Sequence, residues 1–305
     1  MQLLSWYKNN ARVHLPWRKT TDAYRVYISE IMLQQTQVAR VQNEYYPRFL
    51  QRFATLKSVA NAQLEEVFAL WSGLGYYRRA ENLHKCAKEC GGVLPKNYKE
   101  LIKLPGIGSY TASAICSFAY NQTISVVDTN IQRVLCRFFA LKEVKPKELQ
   151  EVAERFLNLH SPKEHNLALM DLGSGICSVT NPACTLCPLQ SACLGKKNPQ
   201  EFTSKKSQKR VKLELFYGLY IKNGKIALCY STENMYKNML LLPQVEPIDE
   251  EFVANYRHAY TKYDITVNLY RVAYVPQEVL WFDLQKLSTL PIPSLVKKAL
   301  VYIEY

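Results

Sequence analysis

Four cysteines, Cys177, Cys184, Cys187 and Cys193, follow one another with six, two and five residues between them. Bringing four thiols to one centre leaves such a segment little freedom: it must form a tight loop clamped at both ends. Four thiolates suit a zinc ion or an iron–sulfur cluster. Only Cys184 and Cys187 form a C-x-x-C pair, so the two separated pairs usual for zinc are not both present. A compact loop closed by Cys177 and Cys193 predicts a [4Fe–4S] cluster. Asn181, Pro182, Pro188 and Ser191 supply the turns such a loop needs. The bland alternative is four unrelated core thiols.

Cys86, Cys90, Cys116, Cys136 and Cys229 read as ordinary core or helix residues. The start, Met1-Gln-Leu-Leu-Ser-Trp-Tyr-Lys8, lacks the basic and apolar regions of a secretory signal. Reduced thiols in a cytoplasmic protein, nucleoid-associated if bacterial, are expected. A monomer is expected too. No stretch of about eighteen apolar residues predicts a membrane span. The 305 residues suffice for two domains. The net charge of +13 points to a polyanion, nucleic acid before an acidic membrane. Residues 1–200 carry 25 Lys and Arg against 15 Asp and Glu, and residues 201–305 carry 14 against 11, so most of the excess lies in the first part.

Residues 1–195 read as helical. One helix is expected from Tyr24 to Leu50, capped by Asp22, with Val26, Ile28, Ile31, Met32 and Leu33 on its apolar face. Leu64–Trp71, Ala80–Cys90, Ala112–Ala119, Ile131–Phe139 and Glu148–Leu157 are further helices. Residues 196–212, polar and basic, read as a linker. Beyond Leu213 the pattern changes to strands: Leu215–Ile221, Lys225–Tyr230 and Ile265–Val275. Asn223-Gly224 marks a hairpin turn. The second domain, 213–305, is therefore α+β.

Leu104-Pro-Gly106-Ile-Gly108-Ser-Tyr110 places two glycines where a tight hairpin needs unusual backbone angles. The helix that follows offers its amide end to a DNA phosphate, through Gly106 and Gly108. Alone, the same motif could be a plain helix–helix turn. Asp128 leaves an apolar run, Ser125-Val-Val, at the mouth of a helix. It reads as an N-cap or as a catalytic carboxylate. Glu30 lies on an otherwise largely apolar helix. Apolar surroundings would raise its pKa and suit it to general acid work; the alternative is a surface glutamate. Two carboxylates facing one cleft suit glycosidic bond cleavage.

The chain resembles the MutY-type adenine glycosylases of the endonuclease III-like helix-hairpin-helix superfamily. The resemblance rests on Leu15-Pro-Trp-Arg18, Ser29-Glu-Ile-Met-Leu-Gln-Gln-Thr-Gln37, Trp71-Ser-Gly-Leu-Gly-Tyr-Tyr77, Leu104–Gly108, Val127-Asp128, Met170-Asp-Leu-Gly173 and the cysteine loop. It implies an all-α helix-hairpin-helix glycosylase domain with a [4Fe–4S] loop, followed by a Nudix-like α+β domain. The implied reaction is removal of adenine mispaired with 8-oxoguanine or guanine in duplex DNA, by base flipping. Glu30 would protonate the adenine and handle water. Asp128 would stabilise the cationic sugar, and Asn130 would orient water or Asp128. Trp17, Arg18 and Asp171 would line the adenine pocket, with Leu33 and Thr36 on the same substrate side. Gln35 and Tyr76 would fill the gap beside the flipped base, with Leu74 adjacent. Tyr110 stands where bifunctional relatives have a Schiff-base lysine, so strand cleavage should be weak or absent. Thr129 replaces a usual glycine, which implies a changed path for the Asp128 loop.

No Nudix box follows Leu240-Leu-Leu-Pro243, so pyrophosphate hydrolysis is not expected. By the resemblance, Tyr260, Thr261 and Lys262 occupy the loop that reads 8-oxoguanine, with Lys262 in place of histidine; a structural turn before Ile265 is the plain alternative. Two other functions fit part of the pattern: a thymine-mismatch or oxidised-pyrimidine glycosylase, and a non-catalytic DNA-binding protein whose cluster senses redox state.

Overall fold

The computed structural model describes residues 2–202, 209–233, 235–237, 239–247, 251–274 and 278–303, except the side chains of residues 288 and 289. The middle of the expected basic linker, residues 203–208, lies outside them. The chain forms two compact units: Met1–Asn61 with Asn82–Lys205, and Ala62–Glu81 with Lys206–Tyr305. No helix among the described residues is long and apolar enough to cross a membrane.

The first unit is helical. Its core gathers Val26, Ala114, Phe118, Ile131, Leu135, Leu149 and Leu169 from successive helices. The helix Ala23–Leu33 starts where Asp22 accepts hydrogen bonds from the Tyr24 amide at 2.9 Å and the Arg25 amide at 3.4 Å. Every residue from Val26 to Met32 is buried, because the apolar side chains of Val26, Tyr27, Ile28, Ile31 and Met32 spread around most of the helix. Glu30 is thus carried inward by its neighbours. The single helix expected over Tyr24–Leu50 is broken after Leu33. Gln34 leaves helical geometry with ψ 112°, and Gln35 takes φ 56°; a short helix resumes at Val38, a π-turn covers Val41–Tyr45, and Tyr46–Arg52 completes the run.

Helices Ser109–Phe118, Thr129–Phe138 and Pro162–Gly175 complete the walls of the site. Pro162–Gly175 was not anticipated, although Pro162 sits at its first turn, where proline's fixed φ suits a helix start.

The second unit carries the strands and the helix Leu64–Trp71. Strands β1 (Val211–Leu219), β2 (Ile221–Lys222), β3 (Lys225–Tyr230), β4 (Leu240–Leu241), β5 (Phe252–Tyr260), β6 (Tyr263–Arg271) and β7 (Leu280–Asp283) form two sheets. In one, β6 lies between parallel β1 and antiparallel β5; in the other, β3 pairs with β2, β4 and β7. Asn223 and Gly224 both adopt positive φ, 52° and 71°, as a two-residue hairpin turn between Lys222 and Lys225 demands.

Candidate active site

A cavity of about 270 Å³ opens in the first unit, walled by Arg12, Trp17, Arg18, Glu30, Tyr110 and Asp128 among others. Leu33, Thr36 and Asn130 also line it. Ligand clefts usually run from roughly 300 to 1,000 Å³, so this one suits a single planar base rather than a larger group.

Glu30 is 8% exposed. Burial pushes its pKa from 4.5 up to about 7, and the charge of Asp128 pushes the same way; the Tyr110 hydroxyl and Arg18 pull against this. Tyr110 donates to Glu30 Oε2 at 2.8 Å. The surface reading of Glu30 is thereby excluded.

Asp128 serves as N-cap and as cavity wall at once. Its Oδ1 accepts from the Ile131 amide at 2.7 Å, which starts the helix Thr129–Phe138, and its Oδ2 accepts from Asn130 Nδ2 at 2.9 Å. Thr129 is the first residue of that helix and is not among the positive-φ residues, so the β-branched side chain sits there without backbone strain. Arg133 supports this corner from behind. It donates to Asn130 Oδ1 at 2.9 Å, to the Gly173 carbonyl at 2.5 Å and to the Cys177 carbonyl at 2.8 Å. A side chain on Gly173 would meet Asn130 Cβ at 2.7 Å, so glycine lets the two helices close on Asn130. The chain Cys177–Arg133–Asn130–Asp128 ties the thiol loop to the cavity.

Trp17 is buried, edge-on to Tyr46 with centroids 5.2 Å apart. Asp171 does not face the cavity. Its carboxylate stands behind the wall, where Arg18 donates at 2.5 and 2.8 Å and Arg12 donates through its amide at 2.9 Å and through both ends of its guanidinium. These bonds hold the Asp171 carboxyl below its usual range against the effect of burial. Asp171 orients the two arginines that do line the cavity; Arg12 was missed from sequence, where an isolated arginine looks like a solvated charge.

The hairpin before Ser109–Phe118 needs only one unusual glycine. Gly106 has φ 74°, and a Cβ there would meet Asn82 at 2.6 Å. Gly108 is extended, φ −87° and ψ −179°, and is the N-cap without a side-chain cap, so its use is to leave the helix's amide end uncovered.

The second unit holds the other assigned residues. Leu74 is 4% exposed and belongs to the interior rather than to a contact surface. Tyr76 is 40% exposed, with φ 51°; the Arg79 guanidinium lies over its ring at 5.3 Å and over Trp71 at 5.5 Å. Thr261 and Lys262 form the turn between β5 and β6, with Tyr260 paired to Tyr263. Thr261 has φ 47°, which a β-branched residue resists, and the Lys262 ammonium lies over the Tyr263 ring at 5.2 Å. Eight non-glycine residues among those described have positive φ. Three of them, Gln35, Tyr76 and Thr261, are residues assigned to the duplex. Strain of about 1–3 kcal/mol each is retained where surroundings and use require it.

Cys177, Cys184, Cys187 and Cys193 line a second cavity with Arg137, Gln190 and Gly195. Arg137 is 2% exposed and donates to the Cys177 sulfur at 3.3 Å. Among the described residues no group of three or more His, Cys, Asp or Glu is gathered for a single metal ion. Among the described residues no disulfide joins any of the cysteines.

Residues 28–159 match the HhH-GPD superfamily of base excision DNA repair proteins. An adenine DNA glycosylase of Buchnera aphidicola from Acyrthosiphon pisum is 31% identical, over 98% of this chain and 95% of its own length. The human adenine DNA glycosylase is 41% identical over 65% of this chain, which spans only 39% of that protein. A Buchnera relative from Baizongia pistaciae is 40% identical, with 62% of its length spanned. Among solved structures, a thermostable thymine-DNA glycosylase matches with a TM-score of 0.60 and 29% identity, over 64% of this chain and 94% of that one. An endonuclease III trapped on DNA matches in fold, with a TM-score of 0.52 and 24% identity, over 57% of this chain and 84% of that one. The cavity, the hairpin and near-complete alignment with a curated relative converge: the chain belongs to the adenine DNA glycosylase family, within the HhH-GPD superfamily of base excision repair proteins.

Proposed function

We propose that this protein hydrolyses the N-glycosidic bond of adenine paired with 8-oxoguanine or guanine in duplex DNA. One observation carries the reading: Glu30, with a pKa near 7, and Asp128, fixed by Ile131 and Asn130, wall one base-sized cavity. A flipped adenine enters this cavity beside Trp17 and Arg18. Glu30 gives its proton to a ring nitrogen as the bond from C1′ to the base breaks, so the base leaves neutral. The Asp128 carboxylate stabilises the oxocarbenium-like sugar. Water then bonds to C1′, and its proton returns to Glu30 or passes to Asp128. Tyr110 holds Glu30 and, lacking an amine, forms no imine with the sugar; the enzyme is monofunctional. The amide end at Gly108 takes a backbone phosphate, while Gln35 and Tyr76 support the emptied duplex. Lesion reading falls to the Nudix-like residues 213–305, through the Tyr260–Lys262 turn.

The four cysteines fit a [4Fe–4S] cluster. A zinc tetrahedron would draw sulfurs to about 3.8 Å of one another, whereas these four surround a cavity without gathering for a single ion. When bound, the cluster supplies a covalent staple for the loop. Cys187→Ser is expected to lose iron and to make the loop sensitive to protease. An iron-free variant that unfolds and acts like wild type would count against the assignment.

Arg133→Gln keeps bulk but loses the fork that holds Asn130. Hydrogen bonds to charged groups are worth about 1.5–3 kcal/mol, so kcat should fall about 10- to 100-fold with little change in KM. An unchanged kcat would remove Arg133 from the support of Asp128.

The activity is tested with duplexes carrying adenine opposite 8-oxoguanine, adenine opposite guanine, and thymine opposite guanine, followed by alkali. Alkali-dependent cutting of the adenine strand, fastest opposite 8-oxoguanine, is the expected result. Cutting of the thymine strand alone would move the protein to thymine-mismatch repair; no cutting at all would leave a DNA-binding role.

A further inference from the structure

The loop before β4 contributes one residue that the known chemistry does not use. Tyr236 is 6% exposed and has φ 62°, a conformation a bulky side chain adopts only when its surroundings impose it. Its hydroxyl lies 2.9 Å from His258 Nε2, and its ring centroid lies 4.5 Å from that of Tyr260. Its main-chain amide meets the Tyr260 hydroxyl. His258 and Tyr260 are two apart on β5 and share a face of the strand. Tyr236 therefore grips both of the last same-face side chains before the strained turn at Thr261. Tyr76 is near enough for its phenol to act on both Tyr236 and Tyr260. Burial first, then Lys298, lowers the His258 pKa, which keeps the ring neutral and able to accept from Tyr236.

We propose that Tyr236 is a specificity-determining positioning residue: it fixes Tyr260 and the Thr261 turn in the geometry that tells 8-oxoguanine from guanine. This rests on the lesion-reading assignment of that turn. Sequence inspection passes over Tyr236 because Ser231-Thr-Glu-Asn-Met-Tyr236-Lys-Asn reads as an undistinguished polar loop. Its positive φ is a position asparagine tolerates well, which provides a variant that removes the ring without new backbone strain.

Single-turnover adenine release is compared on the 8-oxoguanine and guanine duplexes for wild type, Tyr236→Phe, His258→Leu, their double variant and Tyr236→Asn. Tyr236→Phe and His258→Leu should each lower the rate ratio about 2- to 10-fold, the worth of one hydrogen bond, and the double variant should lower it no further. Tyr236→Asn should remove most of the preference. A wild-type preference retained in Tyr236→Asn would overturn the inference alone. Both rates falling by one common factor would also overturn it, since a structural lesion gives that result. Equal wild-type rates on the two duplexes would overturn the lesion-reading assignment itself, and the inference with it.

Discussion

Glu30→Gln is expected to abolish adenine release while making the protein more stable than wild type above neutral pH. The two effects share one cause. Burial raises the Glu30 pKa from 4.5 to about 7, so at neutral pH about half of the molecules hold the proton that the leaving base requires. Glutamine has the same shape and can still accept from Tyr110, but it has no proton to give. Loss of a general acid costs about 10²- to 10⁴-fold in rate. For wild type, kcat should fall as pH rises through about 7, because deprotonated Glu30 cannot protonate the base. The stability effect has the sign of any group whose folded pKa is raised: folding is favoured while the carboxyl is protonated, and that advantage is lost as pH rises towards the folded value. The buried carboxylate then costs about 3 kcal/mol relative to the unfolded chain, from 1.36 kcal/mol per pKa unit. Thermal unfolding of both proteins across pH checks this. The gap in favour of Glu30→Gln should be small near pH 4.5, widen up to about pH 7 and level off above it. A gap independent of pH, or a wild-type kcat that rises through pH 7, would contradict the assignment.

The parts of this molecule that were legible in sequence are those set by local chemistry. Asp22 caps its helix because a short acidic side chain reaches the Tyr24 and Arg25 amides. Asn223-Gly224 turns a hairpin because both residues tolerate positive φ. Glu30 could be singled out because apolar neighbours spread around most of its helix, which leaves little solvent face for it. What could not be read depends on where separate segments meet. Asp171 looks like a pocket carboxylate in sequence; only the arrival of Arg12 and Arg18 turns it into their support. Leu74 sits among residues assigned to the duplex, yet packs inward. The break after Leu33 has no Gly or Pro to announce it; Gln35 is held in the left-handed region by tertiary context. Strand β5 was missed because every residue of Phe252–Tyr260 except His258 is exposed or only partly buried, so its polar residues resemble a loop.

The arginines show the same limit most clearly, and Arg137 carries the largest expected loss of stability. Arg133 and Arg137 are four apart and so share a face of Thr129–Phe138, which is the one sequence signal that could have drawn attention to them. Arg137 donates to the carbonyls of Pro199, Ser178, Val179 and Cys177 at 2.9, 2.6, 2.9 and 3.3 Å, besides the Cys177 sulfur. A guanidinium is the one side chain whose rigid fork reaches so many oxygens at once. Both ends of the thiol loop thus hang on one buried cation. Gly195 is part of the same fit, since a Cβ there would lie 2.4 Å from the Arg137 carbonyl. Arg137→Met keeps the volume but leaves these carbonyls without a donor, at an expected cost of about 3–5 kcal/mol. Arg137→Lys should recover only a part, because an ammonium lacks the fork. For a chain of this size the loss corresponds to roughly 5–8 °C in thermal unfolding. Protease cleavage between Cys177 and Pro199 should appear before global unfolding, since the loop loses its anchor first. Two of the carbonyl partners, Cys177 and Pro199, line the same cavity as the four sulfurs. Combining Arg137→Met with Cys187→Ser should therefore cost less than the two losses added together. An Arg137→Met protein that unfolds at the wild-type temperature and resists cleavage in the loop would show that the carbonyl cradle is not what holds the four cysteines in place.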